Sequence, residues 1–408
     1  MSKVLKRFLE YVKIETTSDA NSDTSPSTEG QLEFARKLVE ELKDLGLEDV
    51  SLDDKGYVMA TLPSNIDKKV PTIGFIAHMD TSPDMSGKDV KPKIVENYDG
   101  GDIVLNEEKN IILSVSEFPE LKNYIGHTII TTDGTTLLGA DNKAGIAEII
   151  TAVEYLIENP QLPHGTVKIA FTPDEEIGRG ADHFDVEKFN ADFAYTVDGG
   201  PIGDLNYENF NAASANISIQ GTNIHPGTAK NLMVNSMQVA IELHNMLPVN
   251  ERPEFTEGYE GFYHLVGFNG NVEKTEIYYI IRDHDMEKFN KKKETLEKIV
   301  EFLNYKYENI ITLDIKDTYY NMKEIIKDRM EIIELAKRAM EEVGVKPLIS
   351  PIRGGTDGAR LSYMGLSCPN IFTGGHNFHG RYEYISLSSM EKAVEVILKI
   401  IDLNAKNI

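Results

Sequence analysis

The chain has 408 residues, 41% hydrophobic and 26% charged, the composition of a globular protein too long for one ordinary core, so two domains are expected. A formal net charge of −24 with no basic stripe argues against nucleic-acid binding. One cysteine, Cys368, excludes an intramolecular disulfide. With no signal-peptide core and no apolar stretch long enough for a bilayer, a reducing cytoplasm and no membrane partner are expected.

In chain order, Leu5, Phe8, Leu9 and Val12 mark one face of a first helix. A second follows Pro26, with Leu32, Ala35, Leu38, Val39, Leu42 and Leu45 at helical spacing and Thr28 and Gln31 placed for a capping box. Apolar runs over 72–77 and 135–140 read as buried strands ending in His78-Met79-Asp80 and Asp141-Asn142. A third helix then shows Ile146, Ile149, Ile150, Val153, Leu156 and Ile157 on one face and stops at Asn159-Pro160. Strands at 167–171 and 193–197 lead to Asp174-Glu175-Glu176 and to Asp198.

The pattern changes near residue 209. Ala213, Ala215, Ile217 and Ile219 alternate along a strand, a helix follows over about 229–246, and strands are expected at 262–268 and 276–282. A charged amphipathic helix runs to about Tyr307, and a strand occupies 310–315. This β-α-β-β-α-β order is that of ferredoxin-like α+β folds, so 209–321 is read as a domain inserted into an α/β domain made of 1–208 and 322–408. In the latter, a mostly parallel central sheet is flanked by helices. A helix with Ile332, Ile333, Leu335, Ala336 and Met340, the run Pro347-Leu348-Ile349-Ser350, a strand over 370–375 and a helix over 388–404 complete the chain.

Five strand ends thus carry His78, Asp141, Glu176, Asp198 and His379, and in open α/β sheets ligands bind at the carboxyl ends of the strands. Histidine nitrogens with carboxylate oxygens and no thiolate suit zinc in a hydrolytic site, with cobalt or manganese able to substitute. A two-metal site needs a bridging carboxylate. Asp80 is placed to orient His78 through its second ring nitrogen. Neighbouring side chains of an extended segment point opposite ways, so one of Glu175 and Glu176 binds metal and the other is free to act as a general base. His376 lies in the same Gly-rich loop as His379, and spacing alone does not separate them. His225, in a Pro-Gly turn of the inserted domain, and Arg282 and Arg353, suited to bidentate carboxylate binding, stand apart as candidate substrate residues.

Taken together, His78-Met79-Asp80, Thr131 to Gly145 (TTDGTTLLGADNKAG), Thr172 to Gly180 (TPDEEIGRG), Val197-Asp198-Gly199, Asn223 to Lys230 (NIHPGTAK), Arg353 to Gly358 (RGGTDG) and Phe372 to Gly380 (FTGGHNFHG) resemble the cocatalytic two-zinc family of aminoacylases, carboxypeptidases and aminopeptidases. The resemblance implies that Asp141 bridges two divalent ions, His78 and Asp198 completing one site and Glu176 and His379 the other. It makes Glu175 the general base and Asp80 the orienter of His78. It further implies that the inserted domain is a lid through which the chain forms a homodimer, with His225 reaching the partner's site and Arg282 and Arg353 gripping the substrate carboxylate. The implied activity is release of the N-terminal residue from short peptides, chiefly tripeptides. A dipeptidase, a carboxypeptidase, an N-acyl-amino-acid hydrolase and an inactive binding protein are the alternatives.

Overall fold

A computed structural model describes residues 2–406. They form two compact units, one comprising the residues up to Tyr207, Glu324–Ser350 and those from Thr356 onward, the other Glu208–Lys323 with Pro351–Gly355. Residues 351–355, expected with the first domain, group with the second. The Arg353 guanidinium holds them there by donating to the carbonyls of Thr256, Gly258 and Glu260.

The first unit is built on an eight-stranded sheet. Its order is Glu48–Leu52, Val58–Leu62, Val167–Thr172, Ile73–His78, Phe193–Gly199, Asn370–Phe372, Asp204–Asn206 and Leu348–Ile349. The four strands from Val167–Thr172 to Asn370–Phe372 run parallel, so their carboxyl ends share one rim. The Ile73–His78 strand is buried at every position, which explains why it reads as an unbroken apolar run and not as an alternating one. The helix Ala140–Glu158 packs on this strand and on Phe193–Gly199. Gly145 makes that approach possible, because a Cβ there would collide with the Val197 carbonyl. Leu387–Lys406 packs in turn on Ala140–Glu158 and on Met330–Glu342.

Two local expectations fail in this unit. Residues 135–140 are not a strand. The strand ends earlier, at Ile129–Thr131, within a small sheet beside Tyr384–Ser386 and Lys93–Val95. An Asx turn at Asp133 and left-handed Gly134 and Gly139 break the extended chain, so Asp141 enters from the start of a helix. The capping box is also absent. Thr28 is the N-cap of Glu29–Asp44 without a side-chain cap bond, and the Gln31 amide donates to the Asp174 carboxylate (2.7 Å) and to the Thr28 hydroxyl (3.1 Å).

The second unit has the strands Asn211–Gln220, Phe262–Gly270, Lys274–Asp283 and Ile311–Tyr319 in one antiparallel sheet, with the helices Ser236–Met246 and Met286–Tyr307. The β-α-β-β-α-β order holds, and Ala213, Ala215, Ile217 and Ile219 line its core with Leu243, Phe289, Leu296 and Leu303. The first helix starts later than expected, at Ser236, because left-handed Asn231 and a bridge between Thr222 and Val234 keep the preceding residues non-helical and Asn235 supplies the cap. Asparagines join the ends of the unit. The Asn209 amide N–H donates to Asn321 Oδ1, and Asn209 and Asn211 Oδ1 accept from the backbone of Met322 and Asn321.

Within Ala140–Glu158, Glu148 is fully buried and neither carboxylate oxygen has a hydrogen-bond partner among the described residues. Burial pushes its carboxyl well above the usual 4.5, so the fold keeps a proton that the unfolded chain releases as pH rises past that value. Stability linked to Glu148 therefore falls with rising pH. Replacing it with methionine, Glu148→Met, should stabilise the protein by about 1–3 kcal/mol, more at pH 8 than at pH 5, as read by thermal unfolding across pH.

Candidate metal centre

The common rim of the parallel strands supplies most of the cluster. His78 is the last residue of Ile73–His78, Asp198 lies at the end of Phe193–Gly199, and Glu175 and Glu176 follow Val167–Thr172 after a turn. Asp141 comes from the first turn of Ala140–Glu158, and His379 from the loop beyond Gly375–His376. His78 Nε2 lies 2.9 Å from Asp141 Oδ1 and 3.4 Å from Asp198 Oδ1. His379 Nε2 lies 3.2 Å from Asp141 Oδ2 and 2.9 Å from Glu176 Oε2. Two groups that could each hold a metal ion result, His78–Asp141–Asp198 and Asp141–Glu176–His379, sharing Asp141.

The donor set fits divalent ions. A tetrahedral ion with bonds of about 2.0–2.1 Å has ligand-to-ligand edges of about 3.3 Å, and the spacings above bracket that value. Glu176 Oε1 is buried without a hydrogen-bond partner among the described residues. Electrostatics point the same way. The hydrogen bonds to Asp141 and Glu176 push His379 up to about 11, and burial next to Asp141 pushes Glu176 up to about 7. For His78, burial alone would lower the value, but Asp198, Asp141 and Asp80 raise it well above the usual range. The cluster thus draws positive charge, and a divalent ion supplies it without protonating the ligands.

Asp80 does more than its expected part. Its backbone oxygen and its Oδ1 lie 3.1 and 3.3 Å from His78 Nδ1. Its fully buried carboxylate also accepts the backbone N–H groups of Glu175 (3.0 Å) and Glu176 (3.1 Å). The two glutamates do not lie in an extended segment. Glu175–Ile177 is a single 3-10 turn after left-handed Asp174, so turn geometry and not strand alternation separates their side chains. Glu176 joins His379, while Glu175 lies among the charges of His78, Asp198, Asp357 and Glu176. Burial pushes the Glu175 carboxyl well above its ordinary range.

His376 turns away from the cluster. Its Nε2 meets the Tyr124 hydroxyl at 2.6 Å and its ring stacks on Tyr384 at 4.8 Å. Of the two loop histidines, only His379 lies against the carboxylates.

Asp174 and Asp357 are among the buried acids that escaped the sequence reading. Asp174, inside the acidic run, accepts from the backbone and hydroxyl of Ser27 and from Gln31, and so pins the turn that follows it. Asp357, within RGGTDG, accepts from Thr172 Oγ1 at 2.8 Å, and burial pushes it up to about 7. The signal for Asp174 was the Gln31 position taken for a capping box. Asp357 stands in the first turn of the helix Asp357–Tyr363, where an acid is ordinary, so no sequence signal set it apart.

The other candidates lie in the second unit. His225 is exposed and its Nδ1 accepts from the Gly227 amide, so its neutral form carries the proton on Nε2, free to donate. Arg282 is half-buried with its guanidinium over Tyr319, 5.1 Å from the ring centre. Arg353 stacks on Phe210 and Phe262, and its terminal nitrogens donate to the loop at 256–260.

Residues 132–403 match the sequence profile of Peptidase family M20/M25/M40, a span that takes in Asp141, Glu176, Asp198 and His379. The chain belongs to this family. Peptidase T of Caldanaerobacter subterraneus subsp. tengcongensis is 68% identical to it over 407 residues, covering 100% of both chains. Among solved structures, the aminopeptidase PepT of Bacillus cereus superposes with a TM-score of 0.79 at 25% identity, covering 99% of this chain and 98% of that one. A tripeptidase of Staphylococcus aureus gives the same TM-score at 23% identity, again covering 99% and 98%.

Because Asp141 belongs to both donor groups, Asp141→Ala should lose both ions, whereas Asp198→Ala and His379→Ala should each lose one, counted by elemental analysis of dialysed protein. Binding must displace the protons held by Glu176 and His379, so apparent metal affinity should rise from pH 6 to pH 8 with measurable proton release. Calorimetry in buffers of different ionisation enthalpy reads both.

Proposed function

We propose that this chain is a two-metal aminopeptidase that releases the N-terminal residue from short peptides, chiefly tripeptides. The observation that carries the reading is the pair of donor groups sharing Asp141, with the carboxylate of Glu175 among the same charges. The family, the peptidase T relative and the aminopeptidase and tripeptidase structures support it.

In this reading His78, Asp141 and Asp198 hold one ion, and Asp141, Glu176 and His379 the other. Bound ions, zinc in the first place with cobalt or manganese as substitutes, lower the pKa of water and polarise the scissile carbonyl. Glu175, whose carboxyl burial raises well above its ordinary range, removes the proton from the attacking water. The new C–O bond forms as the carbonyl π electrons move onto oxygen. When the tetrahedral centre collapses, the C–N bond breaks and Glu175 delivers its proton to the departing amine. Asp80 keeps His78 and the Glu175–Glu176 turn in register through this cycle. In the dimer, His225 of one protomer donates its Nε2–H to the oxyanion in its partner's site, and Arg282 and Arg353 take the substrate's C-terminal carboxylate. For Arg353 this means exchanging some of its loop bonds.

The protein works as a homodimer in the cytoplasm. The sheet of the second unit supports the dimer with exposed Val266 and Phe268, and no helix among the described residues is long and apolar enough to cross a membrane.

A matched dipeptide, tripeptide, tetrapeptide and N-acetyl-tripeptide series tests the reading. Chelator-sensitive release of the N-terminal residue should peak at the free tripeptide. A peak at the dipeptide or the acetylated peptide would move the protein to a sibling activity, and no hydrolysis with both ions bound would leave a binding protein. Glu175→Gln should lower kcat about 100- to 10,000-fold while two ions remain bound.

A further inference from the structure

We infer that Glu383 is a positioning residue that fixes Asp141 relative to His379, and thereby sets the affinity of the cation held by Asp141, Glu176 and His379. The inference rests on the two-metal reading above. Glu383 lies outside the donor groups, four residues after His379, and is almost completely buried. Its Oε2 accepts from the backbone N–H of Leu138 at 2.6 Å and of Gly139 at 2.9 Å, and its Oε1 from that of Asp141 at 3.2 Å.

Those amides need an outside acceptor. The segment leading into Ala140–Glu158 has left-handed Gly139 and non-helical dihedrals at Asp141 and Asn142, so it makes no regular ladder. A buried amide without an acceptor is strongly disfavoured, and the single carboxyl group of Glu383 serves three of them. Lys143, buried just beyond, has Glu383 and Asp80 among its compensating charges.

The main chain of the same residue is tied the other way. Glu383 N–H donates to Gly380 O at 3.3 Å, and Gly380 directly follows His379. Glu383 O accepts from Thr131 Oγ1 at 2.8 Å, and the next residues pair with Ile129–Thr131 as the strand Tyr384–Ser386. One residue therefore grips the Asp141 segment with its side chain and the His379 turn with its backbone. His78 and Asp198, the remaining members of the other group, stand on strands of the central sheet and have no bond to Glu383 among those described.

This asymmetry makes the inference testable. Removing the carboxylate should weaken both ions, because Asp141 serves both. The ion that also depends on the His379 loop should weaken by about 10–100-fold, the usual effect of losing a group that orients a ligand, and the ion whose other ligands stand on sheet strands by much less. Metal-free full-length protein would be titrated with Co2+ by calorimetry, comparing the unaltered chain, Glu383→Gln and the milder Thr131→Val, with thermal melting of each metal-free form as a folding control. Two separable binding events are expected for the unaltered chain. Glu383→Gln should lose far more affinity in one of them than in the other, and Thr131→Val should show the same selectivity to a smaller degree. Unchanged affinities in Glu383→Gln would overturn the inference. So would equal weakening of both events together with a lowered melting temperature, which marks a merely structural role, or selectivity absent from a well-folded Thr131→Val should Glu383→Gln fail to fold. Fewer than two events in the unaltered chain would instead remove the two-metal reading on which the inference stands.

Discussion

The two oxygens of Asp141 lie 2.9 Å from His78 Nε2 and 3.2 Å from His379 Nε2. One carboxylate serves two imidazoles only if its backbone is placed to within about 0.5 Å, and much of the first unit contributes to that placement. The sheet fixes His78 and Asp198 as parts of adjacent, parallel strands. Gly145 lets the helix carrying Asp141 sit directly against the Val197 carbonyl, one residue before Asp198. What the sheet cannot reach is His379, which arrives from a loop with a left-handed backbone.

Bringing so many acids together creates a charge problem that the fold solves in two ways. Asp80, Asp174 and Glu383 accept backbone amides, which offsets part of the cost of their burial, although burial still raises Asp174 and pushes Glu383 up to about 7. Asp141, Asp198, Glu175 and Glu176 accept no backbone amide among the described hydrogen bonds and lie instead beside His78 or His379. The histidines lower Asp141, while burial raises the other three above their ordinary ranges. The division separates acids that shape the backbone from acids that face the chemistry.

That division also marks where sequence reading succeeds and stops. His78, Asp198 and the Glu175–Glu176 pair were legible because fully buried parallel strands leave unbroken apolar runs, and whatever follows such a run lies at the rim. The β-α-β-β-α-β order was legible because strand alternation and helical spacing are local signals. Asp141 was found for a partly wrong reason. The run 135–140 looks like a strand, yet its backbone is organised by a carboxylate more than two hundred residues away, and no local pattern reports such a partner. Asp80's grip on two amides and Gln31's reach to Asp174 were invisible for the same reason. His376 ends the short strand Gly375–His376 and His379 follows in the loop beyond it, and the packing of Tyr124 and Tyr384 around the first keeps it from the carboxylates.

The asparagine stitches at the base of the second unit carry a consequence for how this chain came together and how it can be edited. Asn209, Asn211 and Asn321 hold the incoming and outgoing strands side by side. To the first unit, the polypeptide that leaves at Tyr207 and returns at Glu324 is therefore a short bridge, whatever its contour length. The entropic penalty of closing that excursion falls on the second unit's own folding and not on the alignment of the sheet. Such a base tolerates exchange of the segment beyond it only where the replacement still seats residues 351–355, which Arg353 ties to the second unit.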